Sequence, residues 1–537
     1  MTRLESIALI APLALLSMGF LLPWVARVSP RRAARLTALG ASVAFLVAIA
    51  VAGALALSAL GMLDPSGLEA TLIPSPIGIR LDALTAIMLF TVSSIGLVVS
   101  YYAIRYLDAD VAQRRFSTWL AFSLSAVLSL VLASNLLVFF AAWVATSHGL
   151  HQLLTVYGDR PAARLAARKK FLISRIGDLF LGVAFVWIYQ TLGTFEFSEI
   201  FAQAQAVPVD ERARQILPIA VLIVLGAMTK SAQFPVHSWL PETMEAPTPV
   251  SAMMHAGIIN AGGFLVIRMS PLIALAPSAL AILALFGGLT AVFGSVVMLT
   301  QTDVKKKLAF STVSQMGFMM LQCGVGAFSA ATLHLVGHSF YKAHAFLSAG
   351  SWVDPHPAQL RPLATERRVG SLDIVFAVFV AALLVLLSIR LYGLDVQTKP
   401  GLVVLGGILA LGLAQLLLFT KQIVSSLPFG LPYQLAGIVP AAAIALLYFG
   451  GFLVFDGILD SVIGRLEPQG RFLSPTGSAV LLLFLGALFV QARKPEGGAS
   501  PRWARFYVHA HNGFYIGTVQ SRLVDRLWPV RTPATRP

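Results

Sequence analysis

The chain has 537 residues, of which 57% are hydrophobic and 12% charged, with a mean hydropathy of +0.80 and a formal net charge of +15. Soluble proteins carry about 25% charged residues, whereas here runs of about 20 apolar residues recur from end to end, too many for one globular core and too continuous for strands. A soluble enzyme is excluded, as is a porin-type barrel with its period-two alternation, and the pattern is that of an all-α polytopic membrane protein. The one cysteine, Cys323, excludes a disulfide, a thiolate zinc site or an iron–sulfur cluster within the chain.

In chain order the hydrophobic pattern predicts about fifteen spans, near 6–25, 36–62, 82–103, 117–133, 136–156, 171–192, 216–234, 247–269, 274–299, 308–327, 329–352, 371–390, 400–420, 431–455 and 476–492. The linkers at Ser134–Asn135 and near Ala327 are very short. The first run is followed by RVSPRR and has no small-residue cleavage motif, so it reads as a retained helix and not a signal peptide. The chain divides into N-terminal spans over 1–116, a core over 117–352, further spans over 353–492 and a cytoplasmic amphipathic tail over 493–537.

With the N-terminus outside, alternate loops and the C-terminus face the cytoplasm. These hold Arg27, Arg31, Arg32 and Arg35, then Arg105, Arg114 and Arg115, then Arg160, Arg164, Arg168, Lys169 and Lys170. Lys305, Lys306 and Lys307 follow, then Arg361, Arg367 and Arg368, then Lys421 and the basic residues beyond Val490, which together are most of the 39 lysines and arginines. That bias is the positive-inside pattern. It accounts for the basic charge through topology in a lipid bilayer, without nucleic acid. From Trp503 onward Phe506, Val508, Phe514, Ile516, Val519, Leu523 and Leu527 alternate with Arg505, Arg522 and Arg526, which suits an interfacial amphipathic helix or a docking surface for a cytoplasmic partner.

The informative residues are ionisable groups at membrane depth, each costing roughly 2.5–3.5 kcal/mol at mid-span and therefore lining a pathway or paired. Lys230 closes the run LPIAVLIVLGAMTK, and Pro235, Pro241, Pro247 and Pro249 follow. Prolines so spaced break helices, and broken backbone inside a membrane is tolerated only within protein or beside a water-filled cavity. Lys230 is thereby placed at a helix discontinuity; snorkelling to the interface is the alternative. His255 lies on the next span. His334, His338 and Lys342 recur at i, i+4 on one helix face and form a candidate proton wire, since histidine titrates near neutrality. A structural stripe of hydrogen-bonded side chains is the bland alternative. His148 and His151 offer another relay on the fifth span. Asp178 follows Arg175 by one turn, so the two could simply neutralise each other, and Asp303 reads as a helix cap. No P-loop, dinucleotide fingerprint, HExxH or GxSxG motif is present, and the histidines form no convincing metal site.

Three stretches, MTKSAQFPVHSWLPETMEAPTPVSAMMHAG, TDVKKKLAFSTVSQMGFMMLQCGVGAF and HLVGHSFYKAHAFLSAG, closely resemble the antiporter-like subunits of complex I, of the NuoL type, which are related to the large Mrp antiporter subunits. The resemblance is strong over roughly residues 80–350. It implies a fold with broken helices and inverted repeats. It also implies a central proton-switching role for Lys230, with Asp178, His255, His334, His338 and Lys342 on a hydrophilic axis. Two features depart from the respiratory pattern. The glutamate that follows the fifth-span tryptophan and pairs with the central lysine is replaced, Trp143 here being followed by Val144. The sequence stops at Pro537 after a short amphipathic segment, where the respiratory subunit continues into a long lateral helix and a further span, so a role as that distal pump is not expected. Both departures, with TSHGLHQLL, DRPAARLAARKKFLISRIGD and YVHAHNGFY, are similar to the DabB membrane subunits of inorganic-carbon accumulation complexes.

That resemblance implies an ion-translocating subunit in a bacterial inner membrane that is not itself an enzyme. H+ or Na+ flow through it would drive CO2 hydration on a large cytoplasmic DabA-like zinc protein similar to β-carbonic anhydrases, with zinc in the partner and no cofactor in this chain. A pump module of a complex I-like or hydrogenase-like assembly and an Mrp-type cation/proton antiporter subunit are the competing functions. Without the glutamate, Lys230 must either rest neutral or find another counter-charge, and Asp178, the intramembrane carboxylate nearest in the chain, is expected to supply it, directly or through one water. Glu242 and Glu245, in the proline-rich break, are expected to face water or cap the next helix.

Overall fold

The computed structural model describes residues 3–62, 78–350, 370–399, 401–424, 433–464, 474–492 and 500–529. Arg361, Arg367, Arg368, Arg493, Lys494, Arg531 and Arg536 of the expected cytoplasmic set lie outside the described residues. The first helices are α1 (Leu4–Val25), α2 (Pro30–Ala59), α3 (Ala83–Tyr106), α4 (Gln113–Leu132), α5 (Leu136–Leu154), α6 (Pro161–Leu192) and α7 (Leu217–Lys230). After the proline-rich break come α8 (Thr248–Arg268), α9 (Pro277–Thr300), α10 (Val304–Gly324) and α11 (Phe328–Leu347). Then follow α12 (Ser371–Leu391), α13 (Gly401–Val424), α14 (Tyr433–Leu459) and α15 (Pro475–Ala492), and in the tail α16 (Pro501–His511) and α17 (Ile516–Leu527).

Each of the fifteen expected spans corresponds to one helix. Among the described residues eleven are long and apolar enough to cross a membrane, or twelve when α7 is joined to Val209–Gln215 across a 47° bend. The chain is a multi-pass membrane protein. α10 and α11 are not among those eleven: α10 opens on the largely exposed Lys305, Lys306 and Lys307, and the apolar surface of α11 is interrupted by His334, His338 and Lys342. The short linkers are explained locally. Asn135 caps α5 by accepting from the Val138 amide at 2.9 Å, and Gly326, at φ +75°, turns the chain between α10 and α11. α9 and α10 pack backbone to backbone: a Cβ on Gly317 would stand 2.5 Å from the Ala291 nitrogen, and one on Gly324 2.3 Å from that of Ala284. Small residues at these positions give the close van der Waals contact that membrane helices need.

One boundary is corrected. α6 starts at Pro161, a residue suited to the first helical turn, so Arg164, Arg168, Lys169 and Lys170 are helical and not loop, and Lys169 and Lys170 are buried. They are also not merely topological charges, because each has a specific partner inside the protein.

The loops alternate between two faces. Arg114 donates to the Pro23 carbonyl at 2.9 Å and Tyr157 to Asp110 at 2.7 Å, which gathers the α1–α2, α3–α4 and α5–α6 connections on one face. The α9–α10 connection joins them, since Gln301 donates to the His511 carbonyl of the tail at 2.9 Å. On the opposite face Arg80 bonds Leu132 and Leu136 bonds Phe195 through their backbones, each at 2.9 Å. There Arg268, buried at the end of α8, grips Asp82 at 2.5 and 3.1 Å and Thr85 at 2.7 Å. Burial pushes the Asp82 carboxyl up, but Arg268 and Arg80 outweigh it and hold it well below the usual carboxylate range.

Candidate functional site

α7 ends at Lys230 because Ala232 turns left-handed (φ +48°) and prolines follow. The break aims the lysine into the protein, where it is 5% exposed. Its Nζ donates to the Trp143 carbonyl at 3.1 Å, Thr146 Oγ1 at 2.8 Å and Ser147 Oγ at 2.8 Å, and lies 4.3 Å from the centre of the Trp143 ring. Residues 143, 146 and 147 share one face of α5 by their i, i+3, i+4 spacing. Three oxygens satisfy the three ammonium donors, so the buried lysine is fully hydrogen-bonded without a carboxylate. The snorkelling alternative does not hold.

The expected Asp178–Lys230 pair is not formed directly. Asp178 pairs with Arg175 at 2.6 Å and accepts the Trp143 indole N–H at 3.0 Å. Trp143 stands between the two, its indole on the carboxylate and its carbonyl on the ammonium. Proximity along the chain was a poor guide because Gly177, not Asp178, faces α7: a Cβ there would meet Thr229 Oγ1 at 2.0 Å. Asp178 turns instead toward α5.

Sequence reasoning missed a second lysine at this site. Lys170, on α6, donates to the Ser147 carbonyl at 2.6 Å, so Ser147 holds Lys170 on its carbonyl and Lys230 on its hydroxyl. The signal was available, since Lys170 and Asp178 lie eight residues apart on one face of a helix. Lys169 was missed for the same reason. It is wholly buried, pairs with Glu242 at 2.6 Å and donates to the Gly517 carbonyl at 3.0 Å. Glu242 thus meets a buried cation, whereas Glu245 pairs with Arg160 at 3.0 Å near the surface.

The second polar cluster lies among α8, α10 and α11. His255, wholly buried, bonds Thr312 through Nδ1 at 3.0 Å, stacks on Phe346 at 4.3 Å and leaves Nε2 without a protein partner. Lys342 donates to Ser311 at 2.7 Å. The His334 and His338 rings are 6.2 Å apart, and neither ring nitrogen of His338 meets a protein partner. The structure therefore brings His334, His338 and Lys342 together, as their i, i+4 spacing suggested, and places His255 in the same region. At the start of α11 a cavity of about 470 Å³ opens on the face opposite the tail, lined by Ser329, Lys399, Asp456 and Asp460 among others. There Ser329 donates to Asp456 at 2.8 Å, and Lys399 pairs with the same carboxylate.

The fifth-span histidines separate. His148 is exposed on the outer surface of α5 against Trp119, with ring centres 5.3 Å apart, away from both clusters. His151 turns toward α6, 5.6 Å from Phe171, with Nδ1 unpartnered. Asp303 caps α10 through the Lys306 amide at 2.8 Å. No group of three metal-ligating side chains occurs among the described residues.

The tail does not float free at an interface. α16 and α17 lie as a strap across the face that carries the break: Gln520 donates to the Pro235 carbonyl at 2.8 Å, His511 meets the Thr300 carbonyl at 2.9 Å, and Arg168 donates to the Trp528 carbonyl at 2.9 Å. Its outer residues Val519, Leu523 and Leu527 remain exposed.

Residues 133–394 match the family model described as NADH:quinone oxidoreductase/Mrp antiporter, TM, and residues 69–117 match that of the complex I chain 5 N-terminus. The chain is 39% identical over 471 residues to the probable inorganic carbon transporter subunit DabB2 of Halothiobacillus neapolitanus, an alignment covering 87% of this chain and 84% of that one. The corresponding DabB of Hydrogenovibrio crunogenus is 42% identical over 277 residues, about half of either chain (51% and 53%). In fold the chain resembles a solved Mrp complex from Dietzia, with a TM-score of 0.51 at 23% identity, covering 99% of this chain and 57% of that one.

Proposed function

The chain belongs to the DabB subunits of the antiporter-like membrane family, and from that premise we propose that it carries protons within an inorganic-carbon accumulation complex, making CO2 hydration on a DabA-like zinc partner effectively one-way. It is a transport subunit, and the carbonic-anhydrase-like chemistry belongs to the partner. The observation that carries the proposal is Lys230, buried at a helix break with its ammonium on Trp143, Thr146 and Ser147.

The cluster suits H+ better than Na+. A sodium ion wants several oxygen ligands and no neighbouring ammonium, whereas this site offers two lysines on one serine and a carboxylate already committed to Arg175. Two ammonium groups so close repel, so a proton arriving on one favours departure from the other. In this reading Lys170 acts on Lys230 by repulsion across Ser147, opposite in sign to the attraction that a glutamate at position 144 would supply. The face bearing the basic loops and the strap is the cytoplasmic one, by the positive-inside bias, and the exposed side of the strap receives the zinc protein.

The test is to co-express the chain with the candidate partner in a carbonic-anhydrase-deficient host and to purify the complex. Growth at ambient CO2 that an uncoupler abolishes, with zinc in a co-purifying cytoplasmic protein, is expected. Co-purification of redox subunits or of small antiporter subunits would replace this reading with one of its competitors.

A further inference from the structure

Lys169 and Glu242 form a second buried ion pair that the Lys230 mechanism does not use. The Lys169 side chain is 0% exposed, and its Nζ contacts groups from two further parts of the chain: Ser238 at 3.3 Å and Glu242 at 2.6 Å from the break, and the Gly517 carbonyl at 3.0 Å from the strap. Glu242 keeps 31% of its side chain exposed, so the pair joins the buried interior to the solvent on the tail side. Lys170, the next residue along α6, reaches the serine that holds Lys230. The strap also grips the hinge that follows Lys230. Gln520 bonds both the Pro235 carbonyl and Ser238, and Ser521 reaches Glu242 at 3.4 Å. Between α16 and α17 the backbone turns through three successive left-handed residues, Gly513 (φ +57°), Phe514 (φ +51°) and Tyr515 (φ +61°). That conformation is rare for aromatic side chains and marks a hinge under strain.

We propose that Lys169 and Glu242 form the tail-side mouth of the proton path and that the C-terminal strap is its lid, lifting from Glu242 and Ser238 in each transport cycle. The inference rests on the proton-carrying reading above, but not on the inorganic-carbon partner. With the strap seated, Lys169 is sealed. With it lifted, Lys169 meets the water that Glu242 already reaches, and the break below Lys230 is released from Gln520. An immobile brace would make the same contacts but would not need to move.

The geometry supplies a lock. A Cβ on Gly517 would lie 3.6 Å from that of Ser238, within the range of about 3.5–4.5 Å that a disulfide requires; it would also stand 2.9 Å from Glu242 Oε1, which must swing aside, so the reduced variant is the reference for the oxidised one. Cys323, the chain's one native cysteine, is buried and will not compete. The test compares one preparation of the complex carrying Gly517→Cys and Ser238→Cys, in vesicles containing a pH-sensitive dye, before oxidation, after oxidation and after reduction. Oxidation is expected to lower proton flux about tenfold or more and reduction to restore it, as for a gating element. Equal flux in the cross-linked and reduced states would overturn the proposal and leave a brace. Because the readout is flux, it stands even if the partner proves not to be a zinc protein, whereas absence of flux in the wild-type complex would defeat the proton-carrying reading itself. A second variant covers the case in which the reduced double cysteine is inactive. Trp528→Ala removes the ring contacts of the strap with Arg168 and Phe171, leaving the Arg168 bond to the backbone carbonyl of residue 528, and is expected to raise proton leak without CO2; unchanged leak with an inactive lock variant would also overturn the lid.

Discussion

The two buried polar clusters are built on opposite principles. At Lys230 the ammonium's donors are all used, by oxygens from one turn of α5, and the neighbouring charges Lys170, Arg175 and Asp178 are each engaged. Around α11, Lys342 has Ser311, while His338 and the Nε2 of His255 have no protein partner. Buried polar atoms are normally hydrogen-bonded to protein or to ordered water, so these histidines differ from Lys230 in having no protein group to hold them. On the proposed function the first cluster is the switch, its two lysines sharing Ser147. The second, on the same reading, is the relay, since its ring nitrogens are not tied up by protein groups.

Removing the switch is expected to have the largest effect. Lys230→Ala should lower uncoupler-sensitive carbon uptake by about 10²-fold or more, the scale of a lost proton-transfer group, while insertion improves because a costly charge is gone. Full rescue of growth at ambient CO2 by this variant would remove Lys230 from the mechanism. Lys170→Met should come next, with a loss of about tenfold, since Lys230 then releases its proton without a repelling neighbour; normal uptake would make Lys170 a structural tie. In the relay, His338→Ala should cost about as much as the His334→Ala, His338→Ala double variant, because members of one path are not additive. Normal transport by the double variant would reduce the α11 stripe to packing. Asp178→Asn should be mildest, severalfold at most, because asparagine can still accept the Trp143 indole. A loss equal to that of Lys230→Ala would return Asp178 to the centre of the switch.

These clusters differed in how plainly the sequence showed them. The α11 stripe was legible because i, i+4 spacing on a single helix fixes the relative placement of its members. Lys230 was legible because prolines after an apolar run demand a break. The spans were legible for the same local reason. Placement across helices was harder to read. Asp178 was expected to meet Lys230 directly or through one water, and a direct bond is not made, because Trp143 comes between them and Arg175 pairs with the carboxylate. Lys169 and Lys170 sat in a basic run that topology already explained, which hid that they point inward from an earlier start of α6. His148 and His151, three residues apart, look alike in sequence, but one faces outward and the other faces α6. The tail's amphipathic pattern showed that it lies against something, but not that it lies against the chain's own proline-rich break.

The central claim is that protons cross through the Lys230 switch. It is tested most directly by reconstituting the purified complex in liposomes, imposing a pH gradient and following internal pH with a trapped dye, for wild type and Lys230→Ala alike. Proton flux that the wild type supports and Lys230→Ala lacks, with both inserted at equal amounts, is the result expected here. Equal flux through the two would contradict it.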